Sequence, residues 1–103
     1  MRRMYYKLVR NKIPEIMEAA GEKPVFRVMK EKEYRDCLAE KLKEEVNEYL
    51  EDETIEELAD ILEVVYALAE ANGRTREELL AVYQAKHEVR GGFDRRIFLL
   101  GKE

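Results

Sequence analysis

Apolar residues recur at helical spacing through the middle of the chain and predict two long helices. Nothing breaks a helix between about residues 31 and 51. One stripe of this helix holds its apolar side chains, Leu38, Leu42, Val46 and Tyr49. The second helix is predicted from about 53 to 72, where Gly73 ends it. Because only a short turn separates the two, we expect an antiparallel helical hairpin.

The segments before and after the two long helices predict further helices and short strands. A third long helix opens at Thr75, whose spacing from Glu78 fits a capping box, and closes at Gly91-Gly92. Asn11 is suited to cap a short helix that Gly21 ends, with Pro14 in its first turn. Three apolar runs predict short peripheral strands, at residues 5–9, 25–29 and 96–100. The predicted fold class is therefore mainly α, a single helical domain over residues 1–103 with a few short strands.

The second helix is apolar nearly all round. A water-facing stripe accounts for Glu56, Glu63 and Glu70, which recur every seven residues. The other sides carry Ile55, Leu58, Leu62, Val64, Val65, Tyr66, Ala67 and Leu68. A helix of this kind is buried among neighbours, and three short neighbours have too little surface to cover it. We therefore expect a homo-oligomer.

Acidic residues crowd the turn between the two long helices, and their spacing matches across it. Measured from the midpoint of Asp52-Glu53, Glu48 is as far from the turn as Glu57, and Glu45 as far as Asp60. At a rise of about 1.5 Å per residue, the two pairs form layers roughly 7 and 11 Å from the bend. Within each helix the two acids are three residues apart and share a face.

A solvated acidic surface is the ordinary explanation for such a run, and Thr54 with Glu57 also fits a capping box. Capping accounts for Glu57 alone, and the water-facing stripe leaves Glu57 and Asp60 on an apolar side of their helix. Carboxylates gathered in a partly dry interface raise one another's pKa values unless a cation lies among them. Oxygen ligands favour a hard ion, so the sequence predicts a Mg²⁺ site, with Mn²⁺ as the alternative.

Composition excludes several other classes of function. The 103 residues carry a net charge of -4, which disfavours binding to a nucleic acid polymer. No apolar run is long enough for a membrane span or a signal peptide, so we expect a cytoplasmic protein without membrane contact. A single cysteine and a single histidine exclude an internal disulfide and disfavour zinc or thiol chemistry.

The acidic residues also carry a resemblance. Glu44-Glu45-x-x-Glu48 followed by Glu57-x-x-Asp60 resembles the EExxE and ExxD motifs of the MazG-like, all-α nucleoside triphosphate pyrophosphohydrolase superfamily. The opening KLVRNKIP and the closing KHEVRGGF resemble the ends of a branch labelled phosphoribosyl-ATP pyrophosphohydrolase-like. The chain departs from the pattern in having only eight residues between Glu48 and Glu57, and Asn11 where the branch has Asp.

The resemblance implies Mg²⁺-dependent hydrolysis of a nucleotide between its α and β phosphates, in a homodimer or homotetramer that completes the helical bundle. It implies four metal ligands, Glu45, Glu48, Glu57 and Asp60. Glu44 is a candidate for binding a second ion or for orienting water. Two alternatives stay open, a phosphoribosyl-ATP pyrophosphatase of histidine biosynthesis and a noncatalytic helical module that binds nucleotide or metal or only assembles.

Binding a triphosphate requires positive charge in addition to a metal ion. Two groups of basic residues are candidates to supply it. Lys86 and Arg90 continue the line of Leu79 and Tyr83 on the third helix, although interaction with the helix dipole explains them equally well. The second group, Lys7, Arg10 and Lys12, could be a solvated edge, and its match to the family branch favours phosphate binding. All five residues are predicted to bind the substrate.

Overall fold

The computed structural model describes residues 5–103 and is mainly helical, as predicted. Its helices are α1 (Ile13–Ala19), α2 (Glu31–Asp52), α3 (Ile55–Ala71) and α4 (Arg76–Arg90). The three long helices begin and end within about two residues of the predicted bounds, a difference no larger than the usual uncertainty of helix ends.

Local side-chain chemistry fixes where α3 and α4 begin. The hydroxyl of Thr54 accepts a hydrogen bond from the backbone N–H of Glu57 at 3.3 Å. Thr75 accepts the equivalent bond from Glu78 at 3.1 Å, and the Glu78 carboxylate accepts one from the Thr75 N–H at 3.2 Å. The predicted capping box at α4 is therefore confirmed. At α3 only the threonine half is present, so the Glu57 carboxylate is not used as a cap.

A tight reversal after α2 builds the helical hairpin. Glu53 adopts a left-handed backbone conformation with φ of 51°, and its N–H bonds to the Tyr49 carbonyl at 2.7 Å, which ends α2. Thr54 then starts α3, which packs along α2. Leu38 of α2 and Val64 of α3 are the buried apolar residues of the described chain. The hairpin is therefore the centre of the structure.

The remaining elements are attached more loosely. α4 contacts α3, where the Arg76 guanidinium lies 3.9 Å from the centre of the Tyr66 ring. Apart from half-buried Leu79, every residue of α4 is exposed. Among the described residues, α1 packs against none of the other helices. The amino-terminal segment instead reaches the hairpin through Arg10, whose side chain bonds to Asp60.

The predicted strands are wrong within residues 5–103, which contain none. Tyr6, with a φ of 49°, has a left-handed conformation that interrupts the first apolar run. Arg96, with a φ of 56°, has the same conformation at the first residue of the third run. Residues 25–29 make none of the backbone ladder hydrogen bonds that a strand needs. The predicted cap is also wrong, because Lys12 and not Asn11 precedes α1.

The single chain leaves most of its large apolar side chains in contact with solvent. Its radius of gyration is 18.2 Å, whereas a compact domain of about 100 residues has one of about 13 Å. Ile55, Leu58 and Leu62 are exposed along α3, and Ile97 to Leu100 are exposed in the carboxyl-terminal tail. No helix of the described residues combines the length and apolar content needed to cross a membrane.

Truncating the buried leucine of the hairpin should cost far more stability than truncating an exposed one. We expect Leu38→Ala, at a side chain 2% exposed, to lower the free energy of unfolding by about 2 to 4 kcal/mol. Leu50→Ala, in the same helix at an exposed position, should cost less than about 1 kcal/mol. Urea denaturation followed by circular dichroism measures both. Equal losses would contradict the described hairpin core.

Candidate metal centre

The hairpin brings the predicted acidic residues of α2 and α3 together beside the turn. Glu45, Glu57 and Asp60 each offer a carboxylate oxygen, and these three atoms lie within 4.8 Å of one another. A second group with the same spacing consists of Glu44, Glu45 and Glu48. Glu45 belongs to both groups. All five acidic residues singled out from the sequence therefore form one continuous cluster, which we call the acidic centre.

Burial distinguishes the acidic centre from a solvated acidic surface. Glu45 is only 7% exposed, and Glu57 and Asp60 are half-buried against α2. One oxygen of Glu45, Oε2, is shielded from water and has no hydrogen-bond partner among the described residues, and the same is true of Glu57 Oε2. A buried carboxylate oxygen without a donor is costly, so a cation would be stabilising at these two atoms.

The pKa values of these two carboxyl groups reflect that cost. Burial raises the pKa of Glu45, and the negative charge of Glu48 raises it further, while the contact with Lys41 lowers it in part. Burial also raises the pKa of Glu57, together with the charges of Asp52 and Asp60. In both groups the charged form is therefore less stable than in a freely solvated carboxylate.

Two basic side chains already lie at the acidic centre. Arg10 donates a hydrogen bond from Nη2 to Oδ1 of Asp60 at 2.8 Å. Lys41 Nζ lies 3.3 Å from Oε1 of Glu45 and 3.5 Å from Oε1 of Glu44. Sequence reasoning included Arg10 but missed Lys41, although a lysine four residues before Glu45 is placed to reach it within one helix.

The other four predicted substrate-binding residues, Lys7, Lys12, Lys86 and Arg90, are exposed. None of them forms an ion pair within residues 5–103. The inward position predicted for Lys86 and Arg90 is not seen in the single chain, where every residue of α4 from Leu80 to Arg90 is exposed. Of the five basic residues, the structure joins only Arg10 to the acidic centre.

The arrangement is chemically suited to a hard divalent cation. Its ligand atoms are carboxylate oxygens from two facing helices, which is the donor set that Mg²⁺ and Mn²⁺ prefer. A groove of about 620 Å³ beside Arg27 and Cys37 shares no lining residue with the acidic centre. The acidic centre therefore remains the best supported candidate site.

Comparisons of the chain with protein-family models, with curated proteins and with solved structures find no match.

Replacing the buried acid by its amide should stabilise the metal-free protein at pH 7. For Glu45→Gln we expect a gain on the order of 1 kcal/mol, because a buried and incompletely compensated charge is removed. The pKa of Glu45 is higher in the folded state than in the unfolded state, so folding takes up protons just above the ordinary value of 4.5. The gain should therefore shrink as pH falls through that window.

Urea denaturation in a chelating buffer at pH 7 and at pH 5 measures this difference. Glu51→Gln is the matched control, because Glu51 lies on the same helix and is exposed. A Glu45→Gln variant that is less stable than the wild type at pH 7, or whose gain does not depend on pH, would contradict the described environment of this carboxyl group.

Proposed function

We propose that this chain is a Mg²⁺-dependent nucleotide pyrophosphohydrolase, which cleaves a nucleoside triphosphate or related nucleotide between its α and β phosphates. The products are a monophosphate and pyrophosphate. The observation that carries the proposal is the buried Oε2 of Glu45, which lacks a partner within a cluster of carboxylates from two helices. Such an atom is stabilised best by a cation, and a hard cation held by carboxylates is suited to binding phosphate oxygens.

The proposed ligands are Glu45, Glu48, Glu57 and Asp60, with Mn²⁺ as an alternative to Mg²⁺. When bound, the ion neutralises charge on the phosphate oxygens and lowers the pKa of coordinated water. Glu44, whose side chain is partly exposed, is the candidate that orients the attacking water and accepts its proton. The water oxygen forms a bond to the α phosphorus, and the bond from that phosphorus to the bridging oxygen breaks. The pyrophosphate group leaves with the bridging oxygen.

Positive side chains would complete the phosphate site. Arg10 is the best placed, since its guanidinium already lies at the acidic centre and can contact an anion there. Lys7 and Lys12 lie on the same segment, close to Arg10 in sequence. Lys86 and Arg90 are proposed to bind the polyphosphate from α4, where they are accessible to solvent.

The motif resemblance adds support, because the residues that resemble EExxE and ExxD are the ones that meet in the acidic centre. We propose membership of the MazG-like superfamily on this basis. The alternative within enzymes is a phosphoribosyl-ATP pyrophosphatase, which uses the same type of cleavage. The alternative outside enzymes is a noncatalytic module that holds a metal ion or nucleotide in the same site.

We also propose that the protein acts as a homodimer or homotetramer. Along α3, Ile55, Leu58, Leu62, Val65 and Ala69 alternate at spacings of three and four residues, the seam of a helix that packs against another helix. In the single chain Ile55, Leu58 and Leu62 of this seam are exposed, Ile55 to 73%, while Val65 and Ala69 are half-buried. Since Leu38 and Val64 alone form the buried apolar core of the described chain, a second copy would supply the missing contacts.

Amide substitutions in the acidic centre should abolish hydrolysis without unfolding the protein. Pyrophosphate release is measured over a panel of nucleotides, with Mg²⁺ and with a chelator. We expect Asp60→Asn and Glu48→Gln each to lower the turnover number by at least about a hundredfold, because each removes a carboxylate that holds the ion. Circular dichroism checks that both variants keep their helices.

Glu63→Gln and Glu51→Gln are the matched controls, since these exposed acids lie on the same two helices, outside the acidic centre. Both should keep wild-type activity. Full activity in Asp60→Asn and Glu48→Gln would refute the proposed site. Metal binding without turnover on any nucleotide would favour the noncatalytic alternative, and turnover restricted to phosphoribosyl-ATP would favour the biosynthetic one.

Charges placed in the seam of α3 should separate the subunits. We expect the double variant Leu58→Glu, Leu62→Glu to be monomeric or to lose its folded state, because two buried carboxylates would oppose their copies across the seam. Light scattering coupled to gel filtration measures the mass. Val89→Glu, at an exposed position of α4 outside the seam, should leave the oligomer intact. A stable monomeric wild type would contradict the proposal.

A further inference from the structure

Lys41 is unusual among the lysines of α2 because most of its side chain is shielded from solvent. It is 20% exposed, whereas the side chain of Lys43 is 73% exposed and pairs with Glu40 on the outer face. Lys41 follows buried Leu38 by three residues and precedes Glu45 by four, so all three share the inner face of the helix. Its ammonium group contacts Glu44 and Glu45, two members of the acidic centre.

The contact makes the two oxygens of the Glu45 carboxylate unequal. Oε1 lies 3.3 Å from the ammonium group of Lys41. Oε2 is buried and has no partner within the described chain. A cation entering the acidic centre therefore meets one oxygen of Glu45 that is free and one that is already engaged. The Glu45 side chain is 9% exposed, which leaves it little room to rotate and exchange the positions of Oε1 and Oε2.

We propose that Lys41 is a positioning residue that restricts Glu45 to binding a divalent ion through Oε2 alone, and thereby favours Mg²⁺ over Ca²⁺. The inference rests on the metal site proposed above. Mg²⁺ demands six ligands in near-octahedral geometry and keeps several waters, so single carboxylate oxygens suit it. Ca²⁺ takes six to eight oxygens and readily accepts both oxygens of one carboxylate. Because Lys41 contacts Oε1, Glu45 cannot offer both of its oxygens to Ca²⁺.

The test is the ratio of the affinities for the two ions, measured by calorimetry with MgCl₂ and CaCl₂ at one pH on the full chain. Lys41→Met keeps the apolar stem and removes the charge, and Lys41→Gln is measured in parallel. Losing a positive charge strengthens the binding of both ions, and this contribution largely cancels in the ratio. We expect the ratio to shift toward Ca²⁺ by about tenfold or more, as for other losses of a group that orients a metal ligand.

Two controls locate the effect at Glu45. Lys43→Met removes the same charge from the outer face of the same helix and should leave the ratio unchanged. Adding Glu45→Gln to Lys41→Met should abolish the shift in the affinity ratio. The shift requires both carboxylate oxygens of Glu45 to bind Ca²⁺, and glutamine has no carboxylate. Infrared difference spectra on adding Ca²⁺ should show a bidentate carboxylate signal in Lys41→Met that the wild type lacks.

The outcomes separate this inference from the proposed function. A shift in both Lys41 variants, absent in Lys43→Met, supports it. If the wild type and the variants all bind Mg²⁺ and the ratio of Mg²⁺ to Ca²⁺ affinity is the same in each, the role of Lys41 is overturned and the metal site stands. A wild type that takes up neither ion overturns the proposed function and this inference with it.

Discussion

The mutual repulsion of carboxylates brought together by a helical hairpin is the constraint on which the rest of the structure depends. Glu45 lies within 4.8 Å of acids on both helices and is almost fully buried. Lys41 and Arg10 offset part of the repulsion, yet Oε2 of Glu45 and of Glu57 keep no partner in the described residues. Such an arrangement opposes folding, and this cost supports the proposal that the cluster serves a ligand or a reaction.

The fold supplies this arrangement with few parts. A reversal at Glu53 and a cap at Thr54 set the register of α2 against α3, and the register decides which carboxylates face one another. The apolar core that holds the pair is small, since Leu38 and Val64 are its buried members. Binding a cation between the helices would thus stabilise the hairpin as well as the site, and cation affinity and folding stability should rise together.

The hairpin and the acidic centre were predictable because both follow from helical period and local caps. Thr75 with Glu78, and the matched spacing of Glu45 and Asp60 around the turn, are short-range signals. The prediction of strands was wrong because strand formation depends on hydrogen-bonding partners distant in sequence, which a local pattern does not identify. Lys41 was missed because a lysine in a highly charged helix is ordinarily solvated, whereas this side chain is only 20% exposed. The position of Lys86 and Arg90 depends on what α4 packs against, and the sequence of one chain does not specify that.

The most direct measurement of the central claim is anomalous X-ray diffraction from crystals of the full chain grown with MnCl₂, recorded at the manganese absorption edge. The account predicts an anomalous peak between α2 and α3, within bonding distance of Oε2 of Glu45 and of carboxylate oxygens from Glu57 or Asp60. Well-ordered crystals with these side chains in place and no anomalous peak at the acidic centre would contradict it.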